Sequence, residues 1–297
     1  MFTTLLAVIA VLVIGHVAPG AVASLRRFGW FEDLVRWVDG RAQGPGFWRG
    51  RYGAALVLVP PLLAVALVQW LLRGPWLGFA ALLFAVLLLL YSWGPRDLDV
   101  DVEAVLDAED PAARAQAVSR LAHGDVPPAS DAASLVEAVA VGALRRWFAV
   151  LFWFLLLGPC GALGYRLVVL LARGQAAALL PLDNRSGVRW LLAALEWPVA
   201  RLLALSMALA GNFDAVFRIW REAGGNRWTT DHAFLGAVAR ASVNAELGDE
   251  AAEEAAAGLV PVYRSLPELR DMMSLAWRML LLWLAVLALF VIAGWVG

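Results

Sequence analysis

Apolar runs long enough to cross a lipid bilayer recur from one end of this chain to the other, and no other feature constrains its fold as strongly. A hydrocarbon layer of roughly 30 Å takes about 20 consecutive apolar residues in a helix. Residues 53–72 and 75–93 have that length, joined by a hairpin at Arg73-Gly74, and 147–172, 190–210 and 275–296 are as long or longer. Residues 1–22 form one more run. Arg26 and Arg27 follow its apolar core instead of preceding it, the reverse of a secretory signal, so it reads as an uncleaved span.

Of the 297 residues, 62% are hydrophobic and 16% charged, against roughly 45–50% and 25% in soluble domains. The expected fold class is therefore all-α. It is a polytopic helical membrane protein with about five (four to six) transmembrane helices, a single integral membrane domain over 1–297, and cytoplasmic helical lobes at about 26–51, 94–146 and 213–274.

The arginines set the orientation. Residues 26–51 hold six, 96–146 five and 218–278 seven, while the hairpin holds only Arg73. Positive loops stay cytoplasmic, so the three polar segments share that side when 190–210 crosses. Trp70, Trp76, Trp93, Trp147, Trp190, Trp277 and Trp295 lie at span ends, as interfacial aromatic belts do. The lobes read as helical. Leu98, Val102, Val105 and Leu106 recur at helical spacing, Asp110-Pro111 caps a second helix, and Ser265-Leu266-Pro267-Glu268 reads as a capping box.

Most catalytic patterns are missing. The chain has no lysine, which removes the phosphate-binding P-loop, and neither GxSxG nor HExxH occurs. His16, His123 and His232 lack zinc-ligand spacing. One cysteine, Cys160, allows neither an internal disulfide nor a CxxC site. A net charge of −1 gives no attraction to nucleic acid. The acidic run Asp97, Asp99, Asp101 and Glu103 reads as a solvated face before it reads as a divalent-cation site. No cofactor and no metal are expected.

What remains is charge in apolar surroundings. Arg166, Glu196 and Arg201 lie inside apolar runs, where an ionised group pairs, snorkels or lines a cavity. A Glu196–Arg166 pair across two segments, and an Arg166 that merely snorkels to a membrane face, are both open readings. Gly158-Pro159 interrupts the run 147–172, and proline is tolerated in a span only where neighbours or water satisfy the carbonyl it leaves without a donor. A bent, charged helix beside an amphipathic one suggests a wet pocket.

Three blocks carry a resemblance: "LFWFLLLGPCGALGYRL" at 151–167, "LEWPVARLLALSMALAGNF" at 195–213 and "GPRDLDVDVEAVL" at 94–106. They resemble the AmpE family of inner-membrane proteins, associated with AmpD amidases in β-lactamase induction, and more distantly the CobD/CbiB family of adenosylcobinamide-phosphate synthases. Glu137, Tyr165, Arg166, Arg96, Asp97, Pro198 and Arg201 match the motifs of those enzymes. Ala138, Val141, Gly142 and Arg145 stand where the enzymes carry Ser, Glu, Asn and Asp, and Glu196 where they carry Asn.

The resemblance implies a multi-pass protein of the bacterial inner membrane that serves a regulatory or sensory role in cell-wall stress and has no catalytic or metal residues. Its ligand pocket would draw on Arg96, Asp97, Glu137, Tyr165, Arg166, Glu196 and Arg201. Expected partners are membrane lipids, an anionic small molecule, a protein at the cytoplasmic helices and a second copy of the chain. The alternative is a CobD/CbiB-like enzyme forming an amide on an activated carboxylate, with Glu137, Arg96 and Asp97 as its chemical groups and Arg166 and Arg201 holding the substrate. Transport is disfavoured, because few polar groups line the spans.

Overall fold

The computed structural model describes residues 2–17, 26–42, 46–72, 74, 77–93, 98–122, 127–225, 227–228, 231–257 and 265–293. All regular structure among them is helical, as the apolar periodicity requires. In chain order the helices are α1 (Phe2–Val17), α2 (Gly29–Arg41), α3 (Ala55–Leu71), α4 (Gly78–Ser92), α5 (Leu98–Leu106), α6 (Pro111–Arg120) and α7 (Ala132–Ala143). A π turn at Leu144–Phe148 joins α7 to α8 (Ala149–Leu157). Then come α9 (Pro159–Arg173), α10 (Gln175–Leu179), α11 (Leu182–Ala210), α12 (Phe213–Glu222), α13 (Ala233–Ala256) and α14 (Pro267–Ile292).

Three helical stretches are long and apolar enough to cross a membrane: Ala132–Leu157, Leu182–Ala210 and Pro267–Ile292. The apolar parts of α1, α3 and α4 are shorter, at Thr4–Gly15, Ala55–Leu71 and Gly78–Ser92. The expected span at 147–172 is differently built. Its first half belongs to a helix that starts at Ala132, and its second half is the separate helix α9. The break falls at Gly158, whose φ of 70° and ψ of −156° suit only glycine, and Pro159 opens the next helix at the position where proline lacks no needed donor.

The chain forms two compact units, one from 1–95, 149–196 and 287–297 and the other from 96–148 and 197–286. In the first, α9 is central and packs on α3, α4, α8 and α10, while α1 lies on α4 and α2 touches α3 and α10. Asn184, fully buried, ties this unit together: its Oδ1 accepts from the Ala54 N–H at 2.9 Å and its Nδ2 donates to the Trp48 carbonyl at 3.2 Å. In the second unit α13 packs on α7 and α12, and α5 packs on α6 and α7.

Local start signals are kept where the chemistry is local. Asp110 accepts from the Ala113 N–H at 2.6 Å with Pro111 in the first turn, and Asp131 and Asn212 cap α7 and α12 likewise. The capping box at Ser265 is not built. Among the described residues Ser265 makes no cap bond, because Pro267 is the first helical residue and Leu266, at φ 49°, flanks it instead. The aromatic belt also needs correction. Trp70, Trp190 and Trp277 are exposed, but Trp93 and Trp147 are buried, Trp147 against the Trp277 ring at 5.2 Å, and Trp76 and Trp295 lie outside the described residues.

Candidate functional site

In the first unit the helix break is what presents the polar groups. Ending α8 at Leu157 and restarting at Pro159 leaves backbone groups without helical partners, and Gln69 of α3 supplies them. Its Nε2 donates to the Leu157 carbonyl at 3.2 Å, and its Oε1 accepts from the Cys160 N–H at 3.2 Å. Close packing holds the bend, since a Cβ at Gly161 would meet the Trp153 carbonyl. A cavity of about 270 Å³ adjoins it, lined by Thr4, Gln69, Phe84, Phe154, Gly158 and Pro159 among others.

About two turns beyond the break, α9 carries Tyr165 and Arg166 into the interior. Tyr165, Arg166 and Glu196 are exposed by only 2%, 5% and 2%, so all three are desolvated. The Tyr165 hydroxyl donates to Glu196 Oε1 at 3.1 Å. The Arg166 guanidinium lies 5.8 Å from the Phe28 ring centroid, within cation–π range. Trp153 fixes α8 to α11 by donating to the Leu195 carbonyl at 3.3 Å, next to Glu196. At 5% exposure Arg166 is enclosed by protein, which favours a partner inside the unit over a guanidinium reaching into open water.

The other expected site residues either have partners within the second unit or lie outside the described residues. Arg201 lies in the second unit between the rings of Trp197 and Phe234, at 4.6 and 5.0 Å, and spends its Nε and Nη2 on the carbonyls of Gly225 and Arg227 at 2.9 and 2.7 Å. It braces a loop. Glu137 accepts from Arg240 at 2.6 Å, both about one-third exposed, with Gly236 providing the space a Cβ would take from it. Arg96 and Asp97, and with them His123, lie outside the described residues.

The acidic run behaves otherwise than a solvated face at one position. Asp101 is buried and accepts from Arg146 Nη1 at 2.6 Å, while Arg146 Nη2 donates to the Arg120 carbonyl at 3.1 Å. Its neighbour Arg145 is also buried and reaches the His232 ring at 3.3 Å. The π turn makes this possible, because it widens the helix at the point where two consecutive arginines both enter the interior. Sequence reasoning missed both, counting them as loop cations, although the apolar residues on either side of Arg145-Arg146 were a visible signal. Gln69, alone among apolar neighbours in α3, was another. No group of three His, Cys, Asp or Glu side chains able to hold a metal ion occurs among the described residues.

No protein-family model, no curated protein and no solved structure matches the chain.

Proposed function

We propose that this chain is an AmpE-like regulatory or sensory protein of the bacterial inner membrane. On this reading it crosses the bilayer about five times, carries cytoplasmic lobes at about 26–51, 94–146 and 213–274, and responds to cell-wall stress in β-lactamase induction. It has no catalytic role. Its sensing element is the polar interior around Tyr165, Arg166 and Glu196, which takes an anionic small molecule or lipid.

The observation that carries the reading is the burial of Arg166 and Glu196 inside a unit built of apolar helices. A charge held away from water is costly, and in membrane helices such residues mark ligand or ion sites by default. A guanidinium grips carboxylate or phosphate by two parallel donors, while the Tyr165 hydroxyl holds Glu196 in place beside it by donating to Oε1. The pairing of Glu137 with Arg240 weighs against the alternative, an amide-forming enzyme that needs that carboxylate for chemistry.

Native mass spectrometry of gently extracted protein tests this. Wild type should carry a co-purified anionic species that Arg166→Leu lacks; an empty wild-type protein, or one whose ligand survives the substitution, refutes the site. In a double-mutant cycle, Arg166→Leu and Glu196→Leu should be non-additive in stability by about 0.5–3 kcal/mol. A β-lactamase reporter in cells deleted for the chain tests the regulatory role.

A further inference from the structure

Helix α2 buries one stripe and shows another. Phe31, Val35 and Val38 face inward, while Trp30, Leu34 and Trp37 recur at the same helical spacing on another face with both indoles exposed. A shallow groove of about 450 Å³ is lined by Trp30, Asp33, Leu34 and Trp37. One helix turn on, the Arg41 guanidinium lies over the Trp37 ring at 4.1 Å. The same arrangement recurs in this unit, with Arg51 over the Trp190 ring at 5.4 Å. Phe47 and Tyr52, at 58% and 69%, are among the most exposed aromatic side chains of the unit.

The charge of this segment is one-sided. Residues 26–51 hold six arginines against three carboxylates. Those carboxylates are already engaged: Glu32 and Asp33 with Arg36, and Asp39 with the Trp48 indole N–H at 2.9 Å. Arg41 and Arg51, each stacked on an indole, add positive charge that these three carboxylates do not take up. Stacking an arginine on an indole uses the flat face of the guanidinium and leaves its in-plane N–H donors directed outward, as phosphate recognition requires. The mount is stiff, because Trp48 is buried and its carbonyl and the Ala54 N–H are both held by Asn184.

Aromatic rings beside arginines, on a segment flanked by the apolar helices α1 and α3, match the headgroup layer of a bilayer. We propose that the two arginine–indole stacks, Arg41 on Trp37 and Arg51 on Trp190, with the exposed rings of Phe47 and Tyr52, dock anionic phospholipid headgroups. The indoles and phenyl ring sit at the acyl boundary, and the two stacked guanidiniums bind phosphate oxygens. This surface is separate from the interior around Arg166 and stands whether or not that interior binds a ligand.

The test offers detergent-solubilised full-length protein equal amounts of phosphatidylglycerol and phosphatidylcholine and counts retained lipids by native mass spectrometry. Wild type should prefer phosphatidylglycerol. R41Q/R51Q should lose that preference by about thirtyfold, given the contribution of each arginine at an anionic surface, and R218Q/R221Q, an equal charge change at two exposed positions of α12, should keep it. An R41Q/R51Q variant that retains the preference, or an equal loss of it in R218Q/R221Q, overturns the proposal. A second measurement needs no charge change: p-benzoylphenylalanine at position 52, irradiated in whole cells, should yield a lipid adduct, and a protein adduct or none overturns the proposal.

Discussion

At the residue scale, the buried charges divide by how far away their partners lie. Arg166 and Glu196 stand out in the sequence because a charge inside an apolar run is anomalous within a few residues of itself. Arg145 and Arg146 carry the same local signal, but the carboxylate that meets Arg146, Asp101, lies 45 positions earlier, and no local pattern names that partner. The partners of Arg201 are equally unreadable: they are carbonyls of residues 225 and 227, which side-chain chemistry cannot announce. The Asp101–Arg146 pair makes a sharp prediction. Arg146→Leu removes the cation 2.6 Å from a desolvated carboxylate and should destabilise the chain by about 3–5 kcal/mol, whereas Asp101→Leu with Arg146→Leu should recover most of that loss. Denaturant unfolding in mild detergent, followed by circular dichroism, measures both.

At the element scale, the break between α8 and α9 was legible because Gly-Pro is local punctuation. How it is tolerated was not, since Gln69 comes from another helix. Gly158→Ala forces a side chain into a backbone region that only glycine occupies and should cost about 1–3 kcal/mol. Gln69→Leu should cost about as much by orphaning the Leu157 carbonyl and the Cys160 N–H. Both variants should show faster amide hydrogen exchange over residues 155–163, with the rest of the chain unchanged. At the start of α7, the Ser134 backbone N–H holds the Asp131 carboxyl below the usual carboxylate range. A lowered folded-state value means that the stabilisation is complete above the unfolded value near about 4 and is lost as pH falls through the folded one. Asp131→Asn keeps the cap oxygen but not the charge. The gap between its melting temperature and that of wild type should therefore be constant above about pH 5 and close at lower pH.

At the scale of the whole molecule, the apolar runs announced helices, and helices are what form. They did not announce how many cross a bilayer, because a helix surrounded by lipid and one surrounded by protein want the same side chains. Within its most apolar window Ala132–Leu157 is 78% buried, whereas Pro267–Ile292 is only 28% buried, although both have the length and hydropathy of a span. The proposed topology puts the lobes at 94–146 and 213–274 on one side. In a Cys160→Ser background, Glu109→Cys and Glu250→Cys should then react with a membrane-impermeant maleimide from the same face of oriented vesicles. Labelling from opposite faces would require a different number of crossings between them.

Cys160, whose N–H is held by Gln69 and whose Sγ lies 3.6 Å from the Leu62 carbonyl, is the only thiol in the chain. It sits two residues past the discontinuity, so the wild-type protein already contains a chemical gauge of that joint. Its alkylation rate, read without introducing any foreign group, reports how often the two half-helices part, and a compound that stiffens or loosens the joint would register as a change in that single rate.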